Sequence, residues 1–130
     1  MLKAWIQLSD YSSEDLGMGD VEKAIKVFEE YPWAAETEKY EAECEAKKDV
    51  CPPGLGFGDG DPNFHVTLSK PDTYYVYFQK SRKKKFLGFI PVMKWPSGEA
   101  ADLTKKDVIS LIRMLFESDY DGIFDYLNKR

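Results

Sequence analysis

The chain has few of the residues that most often carry catalytic or metal chemistry. Its 130 residues include one histidine, His65, and two cysteines, Cys44 and Cys51. Zinc sites draw most of their ligands from Cys and His, usually with cysteines two to four positions apart. These cysteines are seven positions apart with a single histidine. The sequence therefore favours a protein without catalytic residues, metal or cofactor.

Long apolar runs are also missing. No stretch reaches the roughly 18 continuous apolar residues of a membrane-spanning helix. The N-terminal segment MLKAWIQLSDYSSED is interrupted by Gln7, which disfavours a secretion signal. Without export, Cys44 and Cys51 are expected to stay reduced, although a disulfide between them would close a small loop and remains an alternative. We expect a cytoplasmic protein without membrane contact.

Positive charge is in deficit, and its distribution is uneven. The net charge is -5, with thirteen acids against six bases in residues 1–49 and three against seven in residues 50–96. The field of such a molecule repels a polyanion, even where one basic segment attracts it. Nucleic acid is therefore an unfavoured partner, and a basic protein is a better one.

Length and apolar periodicity predict one folded domain, residues 1–130, with antiparallel strands. The composition, 43% apolar and 15% aromatic, is typical of a globular chain. Residues 2–8 alternate with period two, and three more strands are predicted in FHVTLS, TYYVYFQ and KFLGFIPVMKW. Short connections favour a meander, with Pro91 confining the last strand to an edge or a bulge.

Helical spacing predicts three helices and favours a fourth. Asp20 is expected to cap the first, Thr104 with Asp107 the third, and Ser118 the last. Residues 34–49 contain good helix formers, but glutamates alternate there too, so helix is preferred and strand stays open. The predicted class is α+β: an antiparallel sheet of about four strands packed against three to four helices, in a single layer on one face.

The segment CPPGLGFGDGDPNF, residues 51–64, is rich in glycine but does not match a known phosphate loop, because a strand and not a helix follows it. Nor does it complete a calcium loop, which needs glycine and glutamate where Phe64 and Lys70 stand. We expect a mobile connection over residues 51–63, and whether it holds a ligand stays open. An alternative function is a small enzyme or ligand-binding domain that uses the loop 51–65, with a cleft lined by Cys51, Asp59, Asp61 and His65.

A basic run, KSRKKKF at residues 80–86, follows the tyrosine-rich strand. Aromatic and basic side chains together are typical of single-stranded nucleic-acid binding, which gives a second alternative function. A solvated hairpin tip that keeps other chains from pairing with an edge strand explains the same lysines.

Acidic and aromatic residues occur together in two helical segments. Carboxylates steer a basic partner and aromatic side chains supply binding energy, a combination typical of protein interfaces. The sequence therefore favours a non-enzymatic protein-binding module, such as a bacterial immunity or inhibitor protein that neutralises a basic toxin or enzyme. The expected partner-binding residues are Trp33, Glu36, Glu38, Tyr40, Glu41, Glu43, Glu45, Asp119, Tyr120, Asp121 and Asp125.

Overall fold

The structure is a computed structural model that describes residues 1–86, 88 and 90–129. Strands and helices follow one another along the chain as β1 Leu2–Gln7, β2 Ser13–Gly19, α1 Val21–Glu30, α2 Trp33–Glu45, β3 Gly54–Phe57, β4 Asn63–Lys70, β5 Thr73–Gln79, β6 Arg82–Phe86, β7 Ile90–Lys94, β8 Ser97–Leu103, α3 Lys105–Phe116 and α4 Tyr120–Asn128.

Six of the strands form one antiparallel sheet in the order β2-β1-β3-β4-β5-β8, and β6 pairs with β7 in a separate two-stranded sheet. The α+β class and the antiparallel pairing confirm the prediction, and the described residues contain four helices. The predicted count of about four strands is wrong. The expected strand over KFLGFIPVMKW is also wrong, because β6 and β7 lie on either side of Gly88, whose φ of 82° suits a turn.

The strands that sequence patterns missed are short of bulky apolar residues. In the edge strand β2, only the Leu16 side chain packs against the core. In β8 the buried residues are Gly98, Ala100 and Leu103. Small or polar side chains give too little contrast between the two faces of a strand for its period to stand out. Tertiary pairing with β1 and β5 holds these segments extended.

The expected mobile connection over residues 51–63 is wrong at its centre. Gly54–Phe57 forms β3, which lies between β1 and β4 and is buried at all four residues. Leu55 and Phe57 enter the core, while Gly54 and Gly56 fall on the other face of the sheet. Of the expected connection, residues 51–53 before β3 and the turn over residues 58–62 after it lie outside the strands.

Helix ends follow local sequence signals. The Asp20 carboxylate accepts a hydrogen bond from the Lys23 amide at 2.9 Å, and Thr104 with Asp107 forms the expected capping box. The last helix is capped by Asp119, which accepts from the Gly122 amide at 3.0 Å. The prediction of Ser118 as this cap is therefore wrong. Within residues 34–49, the predicted helix is confirmed as far as Glu45, where α2 ends.

The core lies between the sheet and the helices. Buried side chains from α1, α3 and α4 meet alternate residues of the central strands, including Phe64 and Val66 of β4 and Val76 and Phe78 of β5. The second helix, α2, buries Trp33 alone. Among residues 1–86, 88 and 90–129, no helix is long and apolar enough to cross a bilayer.

Candidate functional site

One row of side chains crosses the whole six-stranded sheet on the face turned away from the buried helical side chains. The strand register aligns Asp15, Trp5, Gly56, His65, Tyr77 and Glu99 as successive neighbours. Five interstrand spacings make this row about 24 Å long. We call this surface, which also carries Tyr75, the open face. Its four ring side chains, from Trp5, His65, Tyr75 and Tyr77, are half-buried.

Trp5 lies flat across the neighbouring strand because Gly56 has no side chain. A Cβ on Gly56 would stand 2.0 Å, 2.1 Å and 2.6 Å from three indole carbons, so the ring face covers this glycine. The indole also stacks on His65, with centroids 5.4 Å apart and planes at 11°. Trp5 therefore forms a fixed aromatic surface at one side of the open face.

His65 stands at the centre of the row. Its Nε2 is buried and has no hydrogen-bond partner within the part of the chain that the structure describes. Burial lowers the pKa of His65, because the imidazolium loses its hydration there. The ring is therefore neutral at neutral pH, and the aromatic row carries no positive charge.

The buried imidazole predicts a specific pH dependence of stability. Below a pH of about 6.5 the unfolded chain binds a proton that folded His65 resists, so the free energy of unfolding falls as the pH falls toward the folded pKa. The slope from one group is at most about 1.4 kcal/mol per pH unit. Urea unfolding at pH 7.5 and pH 5.5 should show a larger loss for the wild type than for His65→Gln. Equal losses in the two proteins would contradict a buried, neutral imidazole.

Carboxylates stand at both ends of the row. The Tyr75 hydroxyl donates a hydrogen bond to Glu99, and burial together with that carboxylate raises the pKa of Tyr75 to about 12. At the other edge, a hydrogen bond from the Gly17 amide and the nearby Lys3 lower the pKa of Asp15. The aromatic row therefore ends in an acidic side chain at each edge, and the one at Asp15 is paired with Lys3.

The expected partner-binding residues of α2 divide into exposed and buried groups. Trp33 is in the core, only 9% exposed, and its Nε1 donates to the Phe28 carbonyl at 3.0 Å. The prediction that Trp33 lies on a binding surface is therefore wrong. Glu43 is half-buried and accepts from the Ser9 hydroxyl at 3.0 Å. Glu36 and Tyr40 are half-buried, and Glu38, Glu41 and Glu45 are exposed.

The expected residues of the last helix have structural contacts of their own. Asp119 caps α4, Asp121 pairs with Arg82, and Tyr120 stacks on Phe78 with centroids 6.0 Å apart. Asp125 is exposed.

The expected partner-binding acids of α2 and those of the last helix, α4, lie toward opposite ends of β5. Trp33, which begins α2, contacts Tyr74 near the start of that strand. Tyr120, which begins α4, contacts Phe78 near its end. The acids of α2 and α4 therefore do not form one surface.

The cleft proposed from the glycine-rich segment does not assemble. Cys51 donates its thiol hydrogen to the Leu8 carbonyl at 3.3 Å before β3 begins, while Asp59 and Asp61 follow the end of β3. The Asp61 carboxylate accepts a hydrogen bond from the Ser81 amide and forms an ion pair with Lys80. Both cysteines are free thiols. Across residues 1–86, 88 and 90–129, no three His, Cys, Asp or Glu side chains are grouped to hold a metal ion.

The basic run occupies a strand and not a hairpin tip. Lys80 lies 3.3 Å from Asp61, and the Arg82 guanidinium pairs with Asp121 and lies 5.1 Å from the centroid of the Phe124 ring. These two cations are thus engaged within the protein. The predicted nucleic-acid contacts of residues 83–86 concern side chains outside the described part of the structure.

Comparisons with protein-family models, with curated proteins and with solved structures found no match for this chain. The open face includes residues that sequence reasoning had not assigned to a site, namely Trp5, Tyr75 and Tyr77. Period-two alternation places Trp5 on the polar face of its strand and His65 on that of another. Only the strand order and register bring the two rings together.

Proposed function

We propose that the protein is a non-enzymatic binding module that covers a basic protein partner with its open face. The observation that carries this proposal is the row of ring side chains ending in a carboxylate at each edge of the sheet. Aromatic side chains dominate the binding energy of protein interfaces, whereas charged groups around them set orientation and association rate.

Two aromatic residues of this face are held in place before any partner arrives. Trp5 is fixed over Gly56 and against His65, and Tyr75 is fixed by its hydrogen bond to Glu99. Ordering a free side chain at an interface costs about 0.5–1.5 kcal/mol. Prior fixation avoids much of that cost, which supports the open face as a binding surface.

Charge selects a basic partner over a nucleic acid. Asp15 and Glu99 bound the aromatic row, and the net charge of the chain is -5. Exposed glutamates on α2 extend the negative field. Such a field raises the association rate of a basic protein within a Debye length of about 8 Å at physiological salt. Bases stacked on the same rings would bring their phosphate groups toward Glu99 at one end and toward the Lys3-paired Asp15, with Asp59 beside it, at the other.

Neutralisation of a basic toxin or enzyme, as by a bacterial immunity or inhibitor protein, is the activity that we infer for this module. A small acidic chain can act simply by covering the surface of its target, without any catalytic group of its own. Free thiols at Cys44 and Cys51 support a reducing compartment such as the cytoplasm as its site of action.

Oxidative footprinting of the complex tests this proposal. The partner is captured by cross-linking from an extract of the producing organism, and the purified complex is compared with the free protein. We expect Trp5, Tyr75 and Tyr77 to lose reactivity on binding a basic protein, while the 54% exposed Trp95 keeps its reactivity. Protection of Trp95 with unchanged reactivity across the open face would contradict the proposal, whatever protein was captured.

A further inference from the structure

A cleft of about 430 Å³ opens beside Trp5, between β1, β2 and the turn over residues 58–62. We call it the Trp5 cleft. It is continuous with the open face, because Trp5 belongs to both. The residues that line it include the aromatic Trp5 and Tyr11, the acidic Asp15 and Asp59, and the polar Lys3 and Asn63.

The charges of the cleft do not cancel. Lys3 Nζ lies 3.2 Å from an Asp15 oxygen but 4.0 Å from the nearest Asp59 oxygen. The Asp59 side chain is 87% exposed, so this second contact is weak. One lysine facing two carboxylates gives the cleft a formal net charge of about one negative unit.

The turn holds Asp59 at the rim. Gly58, which precedes it, has a φ of 104°, and a Cβ there would stand 2.2 Å from the Pro62 carbonyl oxygen. The chain therefore folds back tightly on itself at this point. Asp59, in the turn that follows β3, lines the same cleft as Trp5.

We propose that the Trp5 cleft takes an arginine side chain of the basic partner, with the guanidinium stacked on the Trp5 ring and paired with Asp59. This inference rests on the proposed function and names the group that the open face recognises. Tryptophan is the best aromatic partner for a cation, and a planar guanidinium stacks on a ring while its N–H groups reach a carboxylate. A lysine ammonium is a strongly hydrated point charge and fits this arrangement less well.

Lys3 has a definite role in this arrangement: it competes with the incoming guanidinium for the two carboxylates. Removing its charge leaves Asp15 and Asp59 both available to the ligand. Lys3→Gln should therefore bind arginine about threefold more tightly, within the range of exposed ion pairs. A gain of affinity on deleting a cleft residue is not the result of a merely damaged site.

Titration with small probes, followed by NMR, tests the inference without the partner. The probes are N-acetyl-arginine amide, N-acetyl-lysine amide and N-acetyl-citrulline amide, the last having the shape of arginine without its charge. We expect arginine to shift the Trp5 indole N–H and the Asp59 amide, with citrulline binding at least tenfold more weakly and lysine between them.

Two matched variants remove one carboxylate each. Asp59→Asn should weaken arginine binding at least threefold, whereas Asp72→Asn, an exposed residue in the β4–β5 turn, should leave it unchanged. Both positions are exposed, so both variants should fold. Equal binding of arginine and citrulline, or equal effects of the two variants, would overturn the inference. Shifts of the same resonances by a mononucleotide but not by arginine would overturn it as well.

Failure of this inference differs from failure of the proposed function. If arginine does not bind but footprinting shows protection of Tyr75 and Tyr77, the arginine site is wrong and the open face stands as the interface. If arginine binds as expected but the partner leaves the open face reactive, the cleft stands and the proposed function is wrong.

Discussion

Replacing Trp33 with alanine is expected to lower the free energy of unfolding by about 3–5 kcal/mol, the usual cost of deleting a buried tryptophan side chain. The indole lies edge-on to Phe28, Tyr31 and Tyr74, with ring centroids 5.8 Å, 4.5 Å and 5.3 Å away. Its N–H also satisfies the buried Phe28 carbonyl. The alanine variant loses the packing and the hydrogen bond together.

The same substitution should loosen α2. Trp33 is the one buried residue of this helix in the described structure, and an isolated helix of 13 residues is marginal in water. Amide hydrogen exchange along α2 should therefore accelerate in Trp33→Ala relative to α3. Exchange rates in α2 that stay at the wild-type values would show that other contacts hold the helix.

Denaturant unfolding of matched variants measures the loss of stability. Trp33→Phe keeps part of the packing but leaves the Phe28 carbonyl without its donor, so a smaller loss, of about 1–3 kcal/mol, is expected. Trp95→Ala, at an exposed tryptophan, should change stability by no more than about 0.5 kcal/mol. If Trp33→Ala costs as little as Trp95→Ala, Trp33 is a surface residue and the core assignment is wrong.

The second large effect is expected from Gly56→Ala. The new Cβ would lie 2.0 Å from an indole carbon of Trp5, a separation that atoms do not tolerate. Either the indole leaves its place against His65 or the strands shift. Overpacking of this kind costs about 1–3 kcal/mol. The variant should also weaken partner binding, because the fixed position of Trp5 on the open face is lost.

A double-mutant cycle with Trp5→Ala isolates this contact. The three atoms nearest to a Cβ on Gly56 all belong to Trp5, so removing the indole removes these clashes, and alanine is better suited than glycine to a strand by roughly 0.5–1 kcal/mol. Gly56→Ala should therefore be neutral or stabilising in the Trp5→Ala background and destabilising in the wild type. Equal costs in both backgrounds would show that Trp5 does not lie over Gly56.

Local signals predicted the helices well because their causes lie within a few residues. The Asp20 cap and the Thr104–Asp107 capping box each depend on side chains that reach amides three positions away. Ser118 failed for the same local reason, since its neighbour Asp119 offers a carboxylate to the Gly122 amide. Short-range geometry decides which residue caps a helix, and the candidate residues are visible in the sequence.

The strands and the open face depend on contacts between distant residues. Glycines in Gly54–Phe57 suggest a loop, yet β1 and β4 hold this segment as a central strand, and its glycines make room for Trp5. The acidic residues that follow Trp33 in the sequence suggest a protein-binding surface, yet Trp33 is buried. Its burial comes from Phe28 and Tyr74, which the sequence does not place beside it.

The measurement that tests the central claim most directly is partner affinity after loss of one aromatic side chain on the open face. Tyr77→Ser removes the ring between His65 and Glu99, and Trp95→Ser removes an exposed ring outside the row. Both are compared by calorimetry with the purified partner. If the open face is the interface, the binding free energy should fall by at least about 2 kcal/mol in Tyr77→Ser and by less than about 0.5 kcal/mol in Trp95→Ser. An unchanged affinity in Tyr77→Ser, with a loss in Trp95→Ser, would contradict it.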